Sequence, residues 1–171
     1  YVIEYLSKYF DITILYYNPN IDTYEEFFKR FEELKKFVNS FKTLNKVEVV
    51  SLGYNQDEYL NEVIGLEDEK EGGSRCLKCY RLRLLKSAIY AKENHFDYFT
   101  TTLTISPLKN SKILNEIGAS LESEIGIKYL YSDFKKREGY KRSIVLSREF
   151  NLYRQDYCGC KFSKNKKNVF N

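Results

Sequence analysis

Short runs rich in β-branched and aromatic residues alternate along this chain with longer stretches whose apolar residues recur every three or four positions. This rhythm restricts the fold more than any other feature, because strand–helix–strand units close best as parallel strands with helices packed over them. Ile12-Thr13-Ile14-Leu15-Tyr16-Tyr17, Val47 to Leu52, Tyr98 to Leu103 and Ile127 to Tyr131 read as strands. Between the first two, Phe27, Phe31, Leu34, Val38 and Phe41 trace the apolar stripe of a long helix, and Thr23 with Glu26 forms a capping box at its start. A short helix is expected around Asp57 to Ile64, and another carries Leu82, Leu85 and Ile89. A third covers Ile113 to Ile125 with a break at Gly118, and a last one runs through Tyr140, Ile144, Val145 and Phe150. The reading is a single α/β domain over residues 1–171, with a mostly parallel, doubly wound, Rossmann-like sheet covered by helices on both faces.

A chain of 171 residues is the size of one domain and can bury a sizeable core. Its 43% hydrophobic and 16% aromatic content is that of a globular protein, and no apolar stretch is long enough for a membrane helix. The chain holds no Met and opens on Tyr1 to Phe10 in helical spacing, which predicts a preceding strand outside this sequence. No basic segment followed by an apolar run marks a signal peptide. The net charge of +4 suits a polyanionic partner without requiring one. Lys161 to Asn171 reads as a solvated basic tail, and the lone His95 as a surface or turn residue.

The four cysteines form two tight pairs. Cys76 and Cys79 lie in Ser74-Arg75-Cys76-Leu77-Lys78-Cys79-Tyr80, and Cys158 and Cys160 close Tyr153-Arg154-Gln155-Asp156-Tyr157-Cys158-Gly159-Cys160. They are too few for a disulfide-built secreted scaffold, so a reducing, cytoplasmic setting is expected. Gly72-Gly73 marks a break, and the helical period of Leu82, Leu85 and Ile89 behind the cysteines places Cys79 near a helix N-terminus, where the dipole and Arg75, Lys78 and Arg81 favour a thiolate. Two thiolates three positions apart bind one metal centre, pair as a redox disulfide, or do neither.

Cys158-Gly159-Cys160 is more telling, because a disulfide across one residue closes a ring of roughly eleven atoms, strained and easily reduced. That favours electron transfer over a static staple. A closed four-cysteine zinc site stays open as an alternative, although one intervening residue is fewer than zinc knuckles use, and so do buried inert cysteines. Asn18-Pro19-Asn20 and Thr100-Thr101-Thr102 with Ser106-Pro107 both follow strands, where ligands of open α/β sheets collect, yet they read equally well as a turn and as β-formers. Neither a Walker loop nor a Gly-x-Gly-x-x-Gly occurs.

Taken in order, Tyr17-Asn18-Pro19-Asn20-Ile21, Cys76-x-x-Cys79, Thr101-Thr102-Leu103 with Ser106-Pro107, and Tyr153-Arg154-Gln155-x-Tyr157-Cys158-Gly159-Cys160-x-Phe162-Ser163 resemble the epoxyqueuosine reductases of the QueH type. The resemblance runs from about Ile14 to Ser163. It implies an oxidoreductase that removes the epoxide oxygen of epoxyqueuosine in a tRNA anticodon, a two-electron step that completes queuosine synthesis. It also implies a 4Fe-4S cluster held by Cys76 and Cys79 with an adjacent Cys-Cys pair that would precede Tyr1, so that this chain supplies half of the thiolates. Cys158 and Cys160 are implied to be a redox-active disulfide pair, with a role as ligands of an additional iron left open.

On the same resemblance Tyr17, Asn18, Asn20, Thr101, Thr102, Ser106, Arg154, Gln155 and Tyr157 are expected to meet the substrate. Asp156 or Tyr157, on nearness in sequence to Cys158 alone, is expected to donate a proton. Arg75, Lys78, Arg81, Arg83 and Arg154 would hold tRNA phosphates. An external electron donor is required, and no membrane is involved. The competing readings are a structural zinc protein that binds RNA and a metal-free thiol–disulfide oxidoreductase.

Overall fold

The computed structural model describes residues 1–164; the expected basic tail lies, from residue 165 on, outside the described residues. The elements are α1 (Val2–Leu6), β1 (Ile12–Tyr16), α2 (Tyr24–Ser40), β2 (Val47–Ser51), α3 (Asp57–Glu62), α4 (Ser74–Glu93), β3 (Tyr98–Phe99), a 3-10 turn (Thr102–Ile105), α5 (Ser111–Ile125), β4 (Lys128–Tyr129), α6 (Gly139–Glu149) and α7 (Lys161–Lys164). Helix and strand alternate and the paired strands are parallel, as an α/β fold requires. The strands pair in twos: β1 with β2, from Ile12 opposite Val47 to Tyr16 opposite Ser51, and β3 with β4, through Tyr98 opposite Lys128 and Phe99 opposite Tyr129. Among the described residues no helix is long and apolar enough to cross a membrane.

Two compact units emerge. One contains residues 3–79 and returns at residue 145, and the other contains residues 1–2 and 80–144. All four cysteines belong to the first unit. Its strand pair is crossed by α2, whose apolar stripe packs on β1: the Tyr16 ring lies 4.9 Å from Phe27 and 5.1 Å from Phe31, and its hydroxyl donates to the Phe27 carbonyl at 2.9 Å. Each such buried aromatic contributes about 1.5–3 kcal/mol.

Only half of the capping box forms. Thr23 accepts from the Glu26 amide at 3.2 Å, a cap worth about 1 kcal/mol. The Glu26 carboxylate turns instead to Arg30 at 2.7 Å and to the Tyr153 hydroxyl at 3.2 Å, which ties α2 to the C-terminal segment.

In the second unit β3 is shorter than Tyr98 to Leu103. The Thr101 side chain accepts from the Leu103 amide at 3.2 Å and bends the chain into the 3-10 turn. α5 runs unbroken through Gly118, contrary to the expected break. A Cβ at that position would come within 2.4 Å of the Tyr129 ring, so the glycine permits close packing rather than ending the helix.

Candidate redox site

The turn that follows β1 and the C-terminal cysteine segment are built into each other. Asn20, 3% exposed, donates from Nδ2 to the Cys158 carbonyl at 3.4 Å, and the Asp22 amide donates to the Gly159 carbonyl at 2.9 Å. From α2, Arg30 donates to the Cys158 and Tyr157 carbonyls, each at 3.4 Å. The Tyr157 hydroxyl closes the arrangement by donating to Asp22 Oδ1 at 2.7 Å, while Lys164 lies 3.2 Å from Oδ2. Gly159 has φ 102°, and a Cβ there would stand 2.9 Å from Ile21 Cγ1. Its backbone conformation and the crowding against Ile21 both demand glycine.

All four cysteines stand as thiols. Cys160 is 5% exposed, and its Sγ lies 3.0 Å from the hydroxyl of Tyr59, a residue of α3 that is itself 1% exposed. Cys158 is half-buried and donates from Sγ to Ser163 Oγ at 3.3 Å. The hydrogen bond with Cys158, followed by burial, pushes the Cys160 thiol far above the usual thiol range, while Tyr59 pulls the other way. Cys160 is therefore a neutral thiol near pH 7.

Burial chiefly, then the hydrogen bond with Cys160, raises the Tyr59 phenol, and negative charge at Cys79 acts in the same direction. Tyr157 is raised by burial and then by Asp22, and keeps its proton.

In the other pair it is Cys76, not Cys79, that occupies the first turn of α4. The Gly72 amide donates to its Sγ at 3.2 Å, whereas Cys79 sits one turn further along and is buried. Two thiols at this spacing fit half of a cluster's ligand set. Among the described residues no three His, Cys, Asp or Glu side chains gather to hold a metal ion.

Arg75 departs from expectation. It is 1% exposed and donates from one terminal nitrogen to the carbonyls of Leu66, Glu67 and Glu69 at 3.2, 2.8 and 2.6 Å. Its guanidinium also lies over the Phe162 ring at 5.0 Å. A cation so enclosed cannot reach a phosphate, and its role is to hold the 66–69 loop on α4.

Tyr17 is buried as well, with its hydroxyl 2.5 Å from Glu58. The Asn18 carbonyl accepts from the Ile21 amide at 3.2 Å and closes the turn. Arg154, Gln155 and Asp156 are exposed on the segment that leads into Cys158. Lys78 is exposed, 3.9 Å from Glu62.

Thr101, Thr102, Ser106, Arg81 and Arg83 belong to the second unit. There Ser106 Oγ accepts from the Leu108 amide at 3.3 Å and Arg81 pairs with Glu124 at 2.8 Å. Tyr59, Arg30, Asp22 and Ser163 were not singled out by the sequence. Ser163 stands inside the last motif, but no local signal marks the other three, because each acts through a long-range contact.

The chain is similar to known proteins over nearly its whole length. Over residues 1–166 the chain matches the family model described as epoxyqueuosine reductase QueH. It is 44% identical over 165 residues to the epoxyqueuosine reductase QueH of Streptococcus pyogenes serotype M1, covering 95% of this chain and 65% of that protein. To the epoxyqueuosine reductase QueH of Staphylococcus epidermidis it is 39% identical over 173 residues, covering 99% of this chain and 73% of that protein. To that of Thermotoga maritima it is 35% identical over 161 residues, covering 90% and 79%. The chain thus spans somewhat less than two thirds of the streptococcal relative's length.

Proposed function

The chain belongs to the epoxyqueuosine reductase QueH family, and from that premise we propose that the whole protein reduces epoxyqueuosine to queuosine in tRNA, in the cytoplasm. Converting the epoxide to an alkene consumes two electrons and two protons and releases one water. Closing a disulfide between Cys158 and Cys160 releases two electrons and two protons, so one dithiol balances one epoxide. The buried docking of Asn20 and Asp22 on the Cys158–Gly159 backbone supports this reading most directly. It joins the two most family-specific motifs into one rigid structure and keeps both sulfurs on a short, constrained segment.

Cys76 and Cys79 would contribute two thiolates to a 4Fe-4S cluster. When bound, the cluster supplies electrons singly. Cys160, held neutral by its neighbours, carries its proton until it is oxidised. Tyr157, kept protonated by burial and Asp22, retains a proton beside the same segment. The exposed Arg154 and Gln155 next to Cys158 face the solvent from which a tRNA loop would approach, and Lys78 adds an exposed cation near the other cysteine pair.

The test uses the full-length protein with tRNA bearing epoxyqueuosine and a low-potential electron donor, and mass spectrometry of the released nucleosides. Queuosine is the expected product, and epoxyqueuosine left unchanged by metal-replete protein would overturn the reading.

A further inference from the structure

The two sulfurs of Cys158-Gly159-Cys160 stand in unlike surroundings, and the difference is chemical as well as geometric. Cys158 is half-buried and is hydrogen-bonded to the Ser163 hydroxyl, to which its own thiol donates. Cys160 is 5% exposed and lies 3.0 Å from the hydroxyl of a fully buried tyrosine reached from α3. A reductant arriving from solvent therefore meets Cys158 first.

We infer that Tyr59 is a further catalytic residue, acting when the oxidised pair is returned to the dithiol: its hydroxyl receives Cys160 as the leaving sulfur, which directs attack by an external dithiol to Cys158. This rests on the reading of Cys158 and Cys160 as the redox pair. A thiolate of the reductant attacks Cys158 Sγ, the Cys158–Cys160 bond breaks, and its electron pair moves onto Cys160. The second thiolate of the reductant then displaces the Cys158 sulfur. The reductant leaves as its own disulfide, and two electrons and two protons have passed to the pair.

Once Cys160 is anionic, only the Tyr59 hydroxyl has a proton to offer across the 3.0 Å contact, whichever group donates in the dithiol. A hydrogen bond to an anion away from water is about twice as strong as one between neutral groups. The buried Arg75 guanidinium, bonded to carbonyls rather than to a carboxylate, acts on Tyr59 in the direction that favours negative charge, against the larger effect of burial. A leaving thiolate departs faster when it is stabilised in this way.

Oxidised full-chain protein, with the Cys158–Cys160 bond verified by peptide mass spectrometry, is reduced with dithiothreitol and the rate recorded. In parallel the mixed disulfide formed with glutathione is trapped and mapped. Wild-type protein is expected to carry glutathione on Cys158, and Tyr59→Phe to be reduced about tenfold more slowly, with glutathione spread over both sulfurs. Tyr16→Phe, which removes another buried hydroxyl of the same unit, is expected to match wild type in both respects.

Glutathione on Cys160 in wild-type protein, or an unchanged rate in Tyr59→Phe, would overturn the inference even though the disulfide forms. If oxidation yields no Cys158–Cys160 disulfide, the redox-pair reading itself fails and takes the role of Tyr59 with it.

Discussion

The backbone amide of Asp22 donates to the carbonyl of Gly159 at 2.9 Å, so the turn after the first strand and the Cys-Gly-Cys segment form a single structure. Gly159 adopts φ 102° at that junction and leaves no room for a side chain on the Ile21 side. The substitution Gly159→Ala is expected to lower stability by about 1–3 kcal/mol and to displace the two thiols relative to each other. Chemical denaturation measures the first effect. The yield of Cys158–Cys160 disulfide under mild oxidation, measured by peptide mass spectrometry, reports the second, and wild-type values in both would contradict the role assigned to this glycine.

Arg75 separates a structural cation from a ligand-binding one. Replacing it with Met strands three carbonyls that now share one guanidinium nitrogen, and a loss of about 3 kcal/mol or more is expected. Arg75→Lys should recover little of it, because a single ammonium cannot both reach the carbonyls and lie flat on Phe162. Lys78→Ala is the contrasting case. It should leave the denaturation midpoint within experimental error while lowering tRNA affinity and flattening its dependence on salt. A tRNA effect from Arg75→Met in fully folded protein, with none from Lys78→Ala, would reverse the assignment.

Part of this organisation is visible in the residue pattern and part is not. β1 and β2 were readable as short runs rich in β-formers, and α2 because its apolar residues recur every three to four positions and Thr23 is a strong N-cap. Asn18-Pro19-Asn20 and the Cys-Gly-Cys motif were each conspicuous, but nothing local shows that Asn20 reaches the Cys158 carbonyl across 138 positions. Tyr59 is one of sixteen tyrosines and becomes distinctive only when α3 packs against Cys160. Arg75 misled for a physical reason: a cation beside a cysteine motif suggests an anion site, and only the carbonyls of Leu66, Glu67 and Glu69 reveal that the charge is buried. Gly118 was mistaken for a break because a glycine required for close packing and one that ends a helix look alike in sequence.

Tyr129 provides a pH test in the second unit. Its phenol is pushed up to about 12 by burial, so in the folded chain it keeps a proton that the unfolded chain releases near pH 10. The stability from this group is fully present below pH 10 and is lost as pH rises towards 12, by about 3 kcal/mol in all. Tyr129→Phe, which cannot ionise, should flatten that part of the stability–pH curve. Denaturation midpoints between pH 9 and 12 give the comparison, and equal slopes for the two proteins would contradict the assignment.

The central claim is that Cys158 and Cys160 hold the two electrons that one epoxide consumes. The most direct test is a single turnover: prereduced full-length protein, freed of external reductant, is mixed with an excess of tRNA bearing epoxyqueuosine, and both queuosine and the oxidation state of every cysteine are measured. The account predicts about one queuosine per protein, formed in step with a Cys158–Cys160 disulfide, and no such yield from the Cys158→Ser, Cys160→Ser protein. Equal yields from the two proteins, or queuosine formed while Cys158 and Cys160 remain thiols, would contradict it.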